Sequence, residues 1–397
     1  MSGQSPLSMM RPERQRALRP KGGSAPGRRR LWPVIAAAAV VVLAAGWCAL
    51  WYFSASVADR TLNGWVEREA AAGRVYSCGS QTISGFPFRI VARCDDASAE
   101  LRNNVPPFAL KAKDISFLAE VFRPMALTGE VSSPVTVAVP DQPTSFVGNW
   151  SLARVSVRGI PPEPDSLVIN ADHARVDRMT AGNSEMVFTT ERTDLNARVV
   201  SGSAANNPVI EVTLRFTGTA APTLHALLAE PLKGEADVVL RGFKDLLPKP
   251  WAVRFHEMQA AGGDVEIKSL RVERTDAIVV GNGKLTVNER GKLDGLIRIA
   301  VAGIEKIVPQ LGIERAIGQG IDRLSGSSGS GAQGLNALDK LLPGLGGVIR
   351  DSVVENVKRM GQPTEIDKKP AVVLPLRFAD GVMSLGVLPI TQVPPLF

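Results

Sequence analysis

The pattern of apolar and polar positions divides the chain into three regimes. Residues 31–53 carry no charge, and none follows until Asp59. A helix of about 22 residues rising 1.5 Å each spans roughly 33 Å, the thickness of a bilayer's hydrocarbon core. The spacing is then helical. Leu62, Trp65, Val66, Glu69 and Ala70 share one face and Gly73 is a natural stop, so a helix over 59–73 extends the apolar segment as a stalk. From about Val75 to Val301 the period drops to two. Phe86, Phe88, Ile90, Ala92 and Cys94 alternate with Arg89, Val91 and Arg93. Val135, Val137 and Val139 do the same, as do Ile210, Val212, Leu214 and Phe216, and Val253 and Phe255 between Arg254 and His256. Strands with one apolar and one polar face predict antiparallel sheet.

The turn residues place the breaks. Pro/Asp/Asn clusters at 139–143, 160–165 and 206–208 punctuate the strands. Over 263–303 a strand begins at Asp264 and its apolar parity switches to Leu270 and Val272, which predicts a bulge. Gly281-Asn282-Gly283 then reads as a tight turn and Asn288-Glu289-Arg290-Gly291 as a second one. Helical spacing is expected at 222–230, at 304–324 with a break near Pro309 and Gly312, and at 335–360 with a break at Pro343-Gly344. A Ser/Gly-rich link lies at 325–334. The chain closes with an apolar strand from Ala371, the turn Ala379-Asp380-Gly381 and a returning strand at 382–387. The expected fold class is α+β: one N-terminal transmembrane helix, then a large curved antiparallel β-sheet with a few covering helices. The expected organisation is a tail at 1–30, a membrane helix at 31–53 and one β-rich domain at 54–397.

Charge sharpens the topology. The 397 residues carry a net charge of +7. Residues 1–30 hold Arg11, Arg14, Arg16, Arg19, Lys21, Arg28, Arg29 and Arg30 against Glu13, which accounts for all of it. The rest is neutral, so the basic pI gives no reason to expect nucleic acid as a partner. A Lys/Arg-rich flank stays cytoplasmic, which sends the remainder across the membrane. Trp32 at one end of the apolar run and Trp47, Trp51 and Tyr52 toward the other suit the interfaces. A cleavable signal peptide is the rival reading, since Ser56-Val57-Ala58 offers small residues to a peptidase. The apolar run is longer than such peptides carry, which favours an uncleaved anchor.

Candidate chemistry is sparse. Cys78 and Cys94 are the two cysteines beyond the apolar run, which itself contains Cys48, and in an oxidising compartment they read as a structural disulfide. No further Cys or His lies nearby for zinc, and the spacing is not C-x-x-C. His173, His225 and His256 have no metal partner at i+4, and Asp172, His173 and Asp177 read as a solvated face. No G-x-S-x-G or P-loop occurs, and Gly281-Asn282-Gly283 lacks the third glycine and the following helix of a dinucleotide fingerprint. No catalytic residue, metal site or cofactor is expected, and the chain reads as a non-enzyme, with an unrecognised hydrolase as the remote alternative.

Three stretches carry a resemblance. Residues 65–94, with Gly85-Phe86-Pro87-Phe88-Arg89 between the cysteines, resemble the opening of the uncharacterised bacterial family called domain of unknown function 2125. Leu374-Pro375-Leu376-Arg377-Phe378-Ala379-Asp380-Gly381, continuing to Ile390, resembles that family's close. Residues 263–303 are similar, more loosely, to the last strands of AsmA-like envelope proteins. The resemblance implies an inner-membrane anchor, a periplasmic β-domain and a part in lipid or outer-membrane homeostasis, and it brings no catalytic residues. Two functions are therefore expected: a β-groove that holds lipid or another apolar ligand for envelope maintenance, or an adaptor that binds another envelope protein through a sheet edge. Gly85, Phe86, Pro87 and Phe88 stand as either a structural corner on an edge strand or a site of lipid or partner contact.

Overall fold

A computed structural model describes residues 28–103, 107–139, 143–160, 162–180, 183–307, 355, 358–359, 361–385 and 388–397. The expected Ser/Gly link at 325–334, and the helices expected at 304–324 and 335–360 beyond their first and last few residues, lie outside them. The chain forms two compact units, residues 1–54 and 55–397. A single helix, α1 (Arg28–Ala71), contributes to both. It has 44 residues, and its apolar stretch is long enough to cross a membrane. Pro33 lies inside it, past the first turn, and so removes one backbone hydrogen bond near its start.

The second unit is one curved antiparallel sheet. Its first strands are β1 (Arg74–Ser77), β2 (Ser80–Ser84), β3 (Arg89–Leu101), β4 (Phe108–Glu120), β5 (Arg123–Val131), β6 (Val135–Ala138), β7 (Phe146–Asn149) and β8 (Leu152–Arg158). The middle strands are the long ones, β9 (Ser166–Thr180), β10 (Asn183–Ser203) and β11 (Asn206–Thr219), followed by β12 (Leu232–Leu240), β13 (Asp264–Arg274), β14 (Ala277–Val287) and β15 (Leu293–Ala302). The last are β16 (Gln362–Ile366), β17 (Lys369–Ala379), β18 (Val382–Leu385) and β19 (Leu388–Gln392). From β8 to β15 each strand pairs with the next in sequence. Earlier, β5 with β6, and β7 with β8, act as two broken strands lying between β4 and β9.

A crease crosses the first half of this sheet, perpendicular to the strands. On β3, Asp95 pairs with Asp114 and Ala97 with Ala112, but Asp96 between them takes φ 51°. The gap between β5 and β6 comes next, then the gap between β7 and β8 at Trp150 and Ser151. On β9, His173 takes φ 49° between the pairs Asp172–Arg192 and Ala174–Thr190. Gly218 on β11, with φ 61°, marks a register shift against β12. Where the ladder lapses, side chains take over its hydrogen bonds. Trp150 Nε1 donates to Val131 O at 2.6 Å, and Ser133 Oγ donates to Trp150 O at 2.9 Å. Ser151 Oγ donates to Asp172 O at 3.0 Å, and the buried Thr190 hydroxyl meets Thr219 Oγ1 at 2.8 Å.

The core is concentrated in the second half. Phe243, Met258 and Val287 form one buried cluster, flanked by Ile210, Leu240, Val265, Leu293 and Leu396. Ile278, Ala302, Ile366 and Ala371 form another. The expected alternation at 210–216, the bulge before Leu270, the turn at Asn288–Gly291 and the terminal hairpin at Asp380-Gly381 are all present.

Three expectations are corrected. Residues 253–256 are not a strand but part of a helix, α2 (Trp251–Ala260), introduced by Pro250. Its buried residues are Arg254 and Met258, one helical turn apart, whereas the apparent period of two came from Val253, which is exposed, and Phe255. The helix expected at 222–230 shrinks to a single 3₁₀ turn at Ala226–Leu228, because the stretch between Pro222 and Pro231 is too short to repay helix nucleation. Gly281-Asn282-Gly283 is not a turn. It lies inside β14, opposite the bulge of β13, and the chain reverses earlier, at Thr275-Asp276. The glycines permit close approach of β15: a Cβ on Gly283 would lie 2.3 Å from Leu296 O. Replacing Gly283 by Ala should therefore destabilise the domain by about 1–3 kcal/mol in chemical denaturation, whereas Asn282→Ala, at an exposed position, should stay within about 0.5 kcal/mol.

Candidate functional site

The C-terminal turns of α1 lie along the start of the sheet and are fastened to it at successive points. Gln81 Nε2 donates to Asp59 Oδ1 at 2.7 Å. Trp65 stacks on Tyr76 with ring centroids 4.9 Å apart. Arg74 grips Glu69 through Nε and Nη2, the latter donating to Oε1 at 3.0 Å. That hydrogen bond, more than bare charge, holds the Glu69 carboxyl below the usual carboxylate range. Asn103 Nδ2 donates to Ala72 O and the Arg102 amide to Gly73 O. The helix end is thus a roof, fixed by polar bonds at its margins.

Beneath it is an apolar groove of about 510 Å3. Leu62, Trp65 and Val66 form the roof. The floor comes from cross-strand partners on one face of the sheet: Tyr76 with Ala99, Ala99 with Leu110, Ala97 with Ala112, Cys94 with Ile115, Ile115 with Val131, and Ala112 with Val135. Much of the floor is alanine, so little side-chain volume rises toward the helix and space remains. The crease decides which residues those are. Simple alternation from Phe117 and Ile115 would bring Lys113 and Lys111 into the groove. The crease flips the parity, so Ala112 and Leu110 face inward and both lysines are exposed. Asp114, buried on the opposite face, is met by Arg93 Nη2 at 3.1 Å. Of the polar groups at the groove, Ser77 Oγ and Ser98 Oγ are 2.6 Å apart and satisfy each other, and Gln81 is held by Asp59. What remains is a hydrophobic slot with few polar groups directed at an occupant.

The sequence-selected residues fall around this groove. Cys78, between β1 and β2, and Cys94 on β3 are joined by a disulfide with Cα atoms 5.6 Å apart, and both line the groove. Gly85, Phe86, Pro87 and Phe88 are not on an edge strand. They make the hairpin turn between β2 and β3, with a cis Phe86–Pro87 bond and Gly85 at φ 103°. A Cβ on Gly85 would lie 2.8 Å from Arg89 O, so the corner requires glycine there. Phe88 contacts Phe122, whose ring centroid is 5.7 Å away. Cys48 is an exposed free thiol of α1. A groove is expected from the sequence but its lining residues and its helical roof are not, although the change of parity at Ala112-Lys113-Asp114-Ile115 marks the place.

The histidines are dispersed. His173 sits in the crease, with Nδ1 3.2 Å from Ser151 Oγ, while Asp177 is held by Arg175. His225 Nδ1 accepts from the Leu227 amide, and exposed His256 packs edge-on against Phe397. Among the described residues no group of three or more His, Cys, Asp or Glu is arranged to hold a metal. A second depression of about 660 Å3 is charged and open, lined among others by Arg241, Asp264, Glu266 and Lys284. These four pair with one another: Arg241 with Glu266 at 2.6 Å and with Asp264 at 2.8 Å, and Lys284 with Asp264 at 3.0 Å. The Glu266 and Asp264 hydrogen bonds raise the Arg241 guanidinium further above its usual range.

A family model described as an uncharacterised protein conserved in bacteria, DUF2125, matches residues 51–394. No curated protein matches the sequence.

The disulfide closes a loop with a sequence separation of 16 and fastens the groove's floor to the chain that carries its roof. Its loss should cost about 3 kcal/mol. Cys78→Ser, Cys94→Ser and the double variant should lose the same amount in urea unfolding, because each breaks one bond. Additive losses would show that each cysteine contributes separately.

Proposed function

The chain belongs to the DUF2125 family of uncharacterised bacterial proteins, and we propose that it is a membrane-anchored envelope protein whose β-domain holds a lipid acyl chain, or a ligand of like chemistry, without catalysing a reaction. The observation that carries the reading is the groove under Leu62, Trp65 and Val66. Its volume lies within the range of ligand sites, its walls are apolar, and several of its polar neighbours are paired with one another. Each methylene moved from water into such a slot gains about 0.8 kcal/mol, so a chain of ten buried methylenes gains roughly 8 kcal/mol before ordering costs. Only residues 54–61 separate the apolar run from Leu62, which keeps the groove close in sequence to the source of such chains. The absence of a sequence motif for catalysis accords with carriage rather than chemistry, and with the envelope-maintenance role that the likeness to AsmA-like proteins suggests.

The orientation in this reading is a cytoplasmic tail and a periplasmic domain. It is supported by the basic residues before the span and by a disulfide suited to an oxidising compartment. An alkaline phosphatase reporter after Phe397 should be active, and replacing Arg28, Arg29 and Arg30 by Ala should lower that activity; an inactive fusion to the intact chain overturns the orientation.

The groove is tested by purifying residues 55–397, the second compact unit, from a bacterial periplasm without detergent and extracting bound lipid for mass spectrometry. Lipid should co-purify in near-stoichiometric amount. Ala112→Phe, which fills the floor, should reduce it several-fold while leaving the thermal midpoint within a few degrees. A lipid-free domain, with an envelope protein crosslinked along the β1–β2 edge instead, would favour the adaptor.

A further inference from the structure

One end of the sheet carries a row of exposed apolar residues that the groove does not use. Hairpin turns cluster there in succession. The β2–β3 turn holds Phe86 and Phe88, the β4–β5 turn holds Phe122, and the loop after β8 holds Ile160. Pairing places them side by side: Arg89 faces Glu120, the Val121 amide donates to Phe88 O, and the Gly159 amide donates to Met125 O. Phe122 is 74% exposed, Met125 56%, Phe86 54% and Phe88 52%. Large apolar side chains gathered at hairpin tips contribute little to the core of their own domain and mark a contact surface.

The fastening points of α1 identify which end of the sheet this is. Ala72 and Gly73 bond at Asn103 and Arg102, beyond the last residue of β3. Trp65 stacks on Tyr76, which pairs with Ala99, and Asp59 bonds to Gln81, which pairs with Cys94. Read backwards from Gly73, the helix advances along β3 toward Arg89. The chain therefore enters this unit at the end that bears Phe86, Phe88 and Phe122, and the residues before the point of entry are the apolar span.

We propose that this row of hairpin tips is a second membrane contact, seated in the headgroup region of the bilayer that anchors the chain. Continuity of the chain selects the occupant. A surface at the entry end of a tethered domain meets the bilayer at high effective concentration, so even weak affinity is sufficient. The chemistry agrees, since aromatic rings favour the interface and exposed Arg158, together with Arg123, which lies 3.9 Å from the Glu120 carboxylate, suits anionic headgroups. The contact would restrain the domain at two points, its helix and its rim, and present it to the bilayer in one attitude.

The test uses the full chain, reconstituted in phosphatidylcholine–phosphatidylglycerol vesicles. In a Cys48→Ala background, Phe122→Cys is labelled with an environment-sensitive fluorophore and exposed to lipids spin-labelled near the headgroup. Met179→Cys, at the opposite end of β9, is the control. The Phe122 label should be blue-shifted and quenched several-fold more than the Met179 label, and Phe88→Ser with Met125→Ser should reduce that quenching. Equal quenching at the two positions overturns the proposal. So does a blue-shifted Phe122 label that spin-labelled lipid does not quench, which would place protein there. Combining the label with Ala112→Phe should leave quenching unchanged, so rim and groove stand or fall separately.

Discussion

A strand keeps one face apolar only while its side chains alternate, and a sheet satisfies its backbone only while its ladder runs on. In β3 and β4 the two demands collide at Asp96 and Lys113, where the apolar residues change parity. The crease resolves the collision across the first half of the sheet, since a lapse in one pair of strands has to be matched in the next or leave donors and acceptors unpaired. Left-handed residues at Asp96, His173 and Gly218 turn the chain over, while Trp150, Ser133, Ser151 and Thr190 supply the hydrogen bonds that the ladder gives up. The groove depends on this arrangement. Both sides of the crease direct small apolar residues at the same helix, and the lysines between them are exposed.

Away from the groove, the second half of the sheet shows how the same fold tolerates buried charge. Arg254 on α2 is almost wholly buried, yet Nη1 reaches both Asp245 Oδ1 and Glu257 Oε2 at 3.3 Å, and the guanidinium also donates to the carbonyls of Asp245 and Leu247. Lys249 closes the network, 2.6 Å from each carboxylate. A buried charge is tolerable only when paired and fully bonded. Here the network pins the loop before α2 and so holds Met258 in the cluster with Phe243 and Val287.

What could be read from the sequence divides along physical lines. Long apolar runs and sustained alternation are local signals, and they located the helix, β11, the bulge before Leu270 and the turn at Asp380-Gly381. The cysteine pair was legible because compartment and spacing left little else. Where the buried face carries a charged residue, as at Arg254, period alone misleads. Glycines at 281 and 283 look the same in a turn as in a strand that another strand approaches closely; only the identity of the neighbour distinguishes them, and that neighbour is β15. The groove required knowing that the parity changes of β3 and β4 lie opposite each other, a relation between strands that no single stretch contains.

The long succession of neighbouring pairs from β8 to β15 has a bearing on how the polypeptide acquires its form. Loop closure between adjacent strands involves short stretches of chain, so the entropy lost at each step is small. A chain delivered from its N-terminus can add strand to strand in the order of emergence, each new one templated by the exposed edge of the last. The groove would then be among the first parts completed, since α1 and β1 to β6 come first. The edge awaiting its next partner would meanwhile be the segment most open to mispairing, and it moves along the sheet until β17 to β19 bring the assembly to its end.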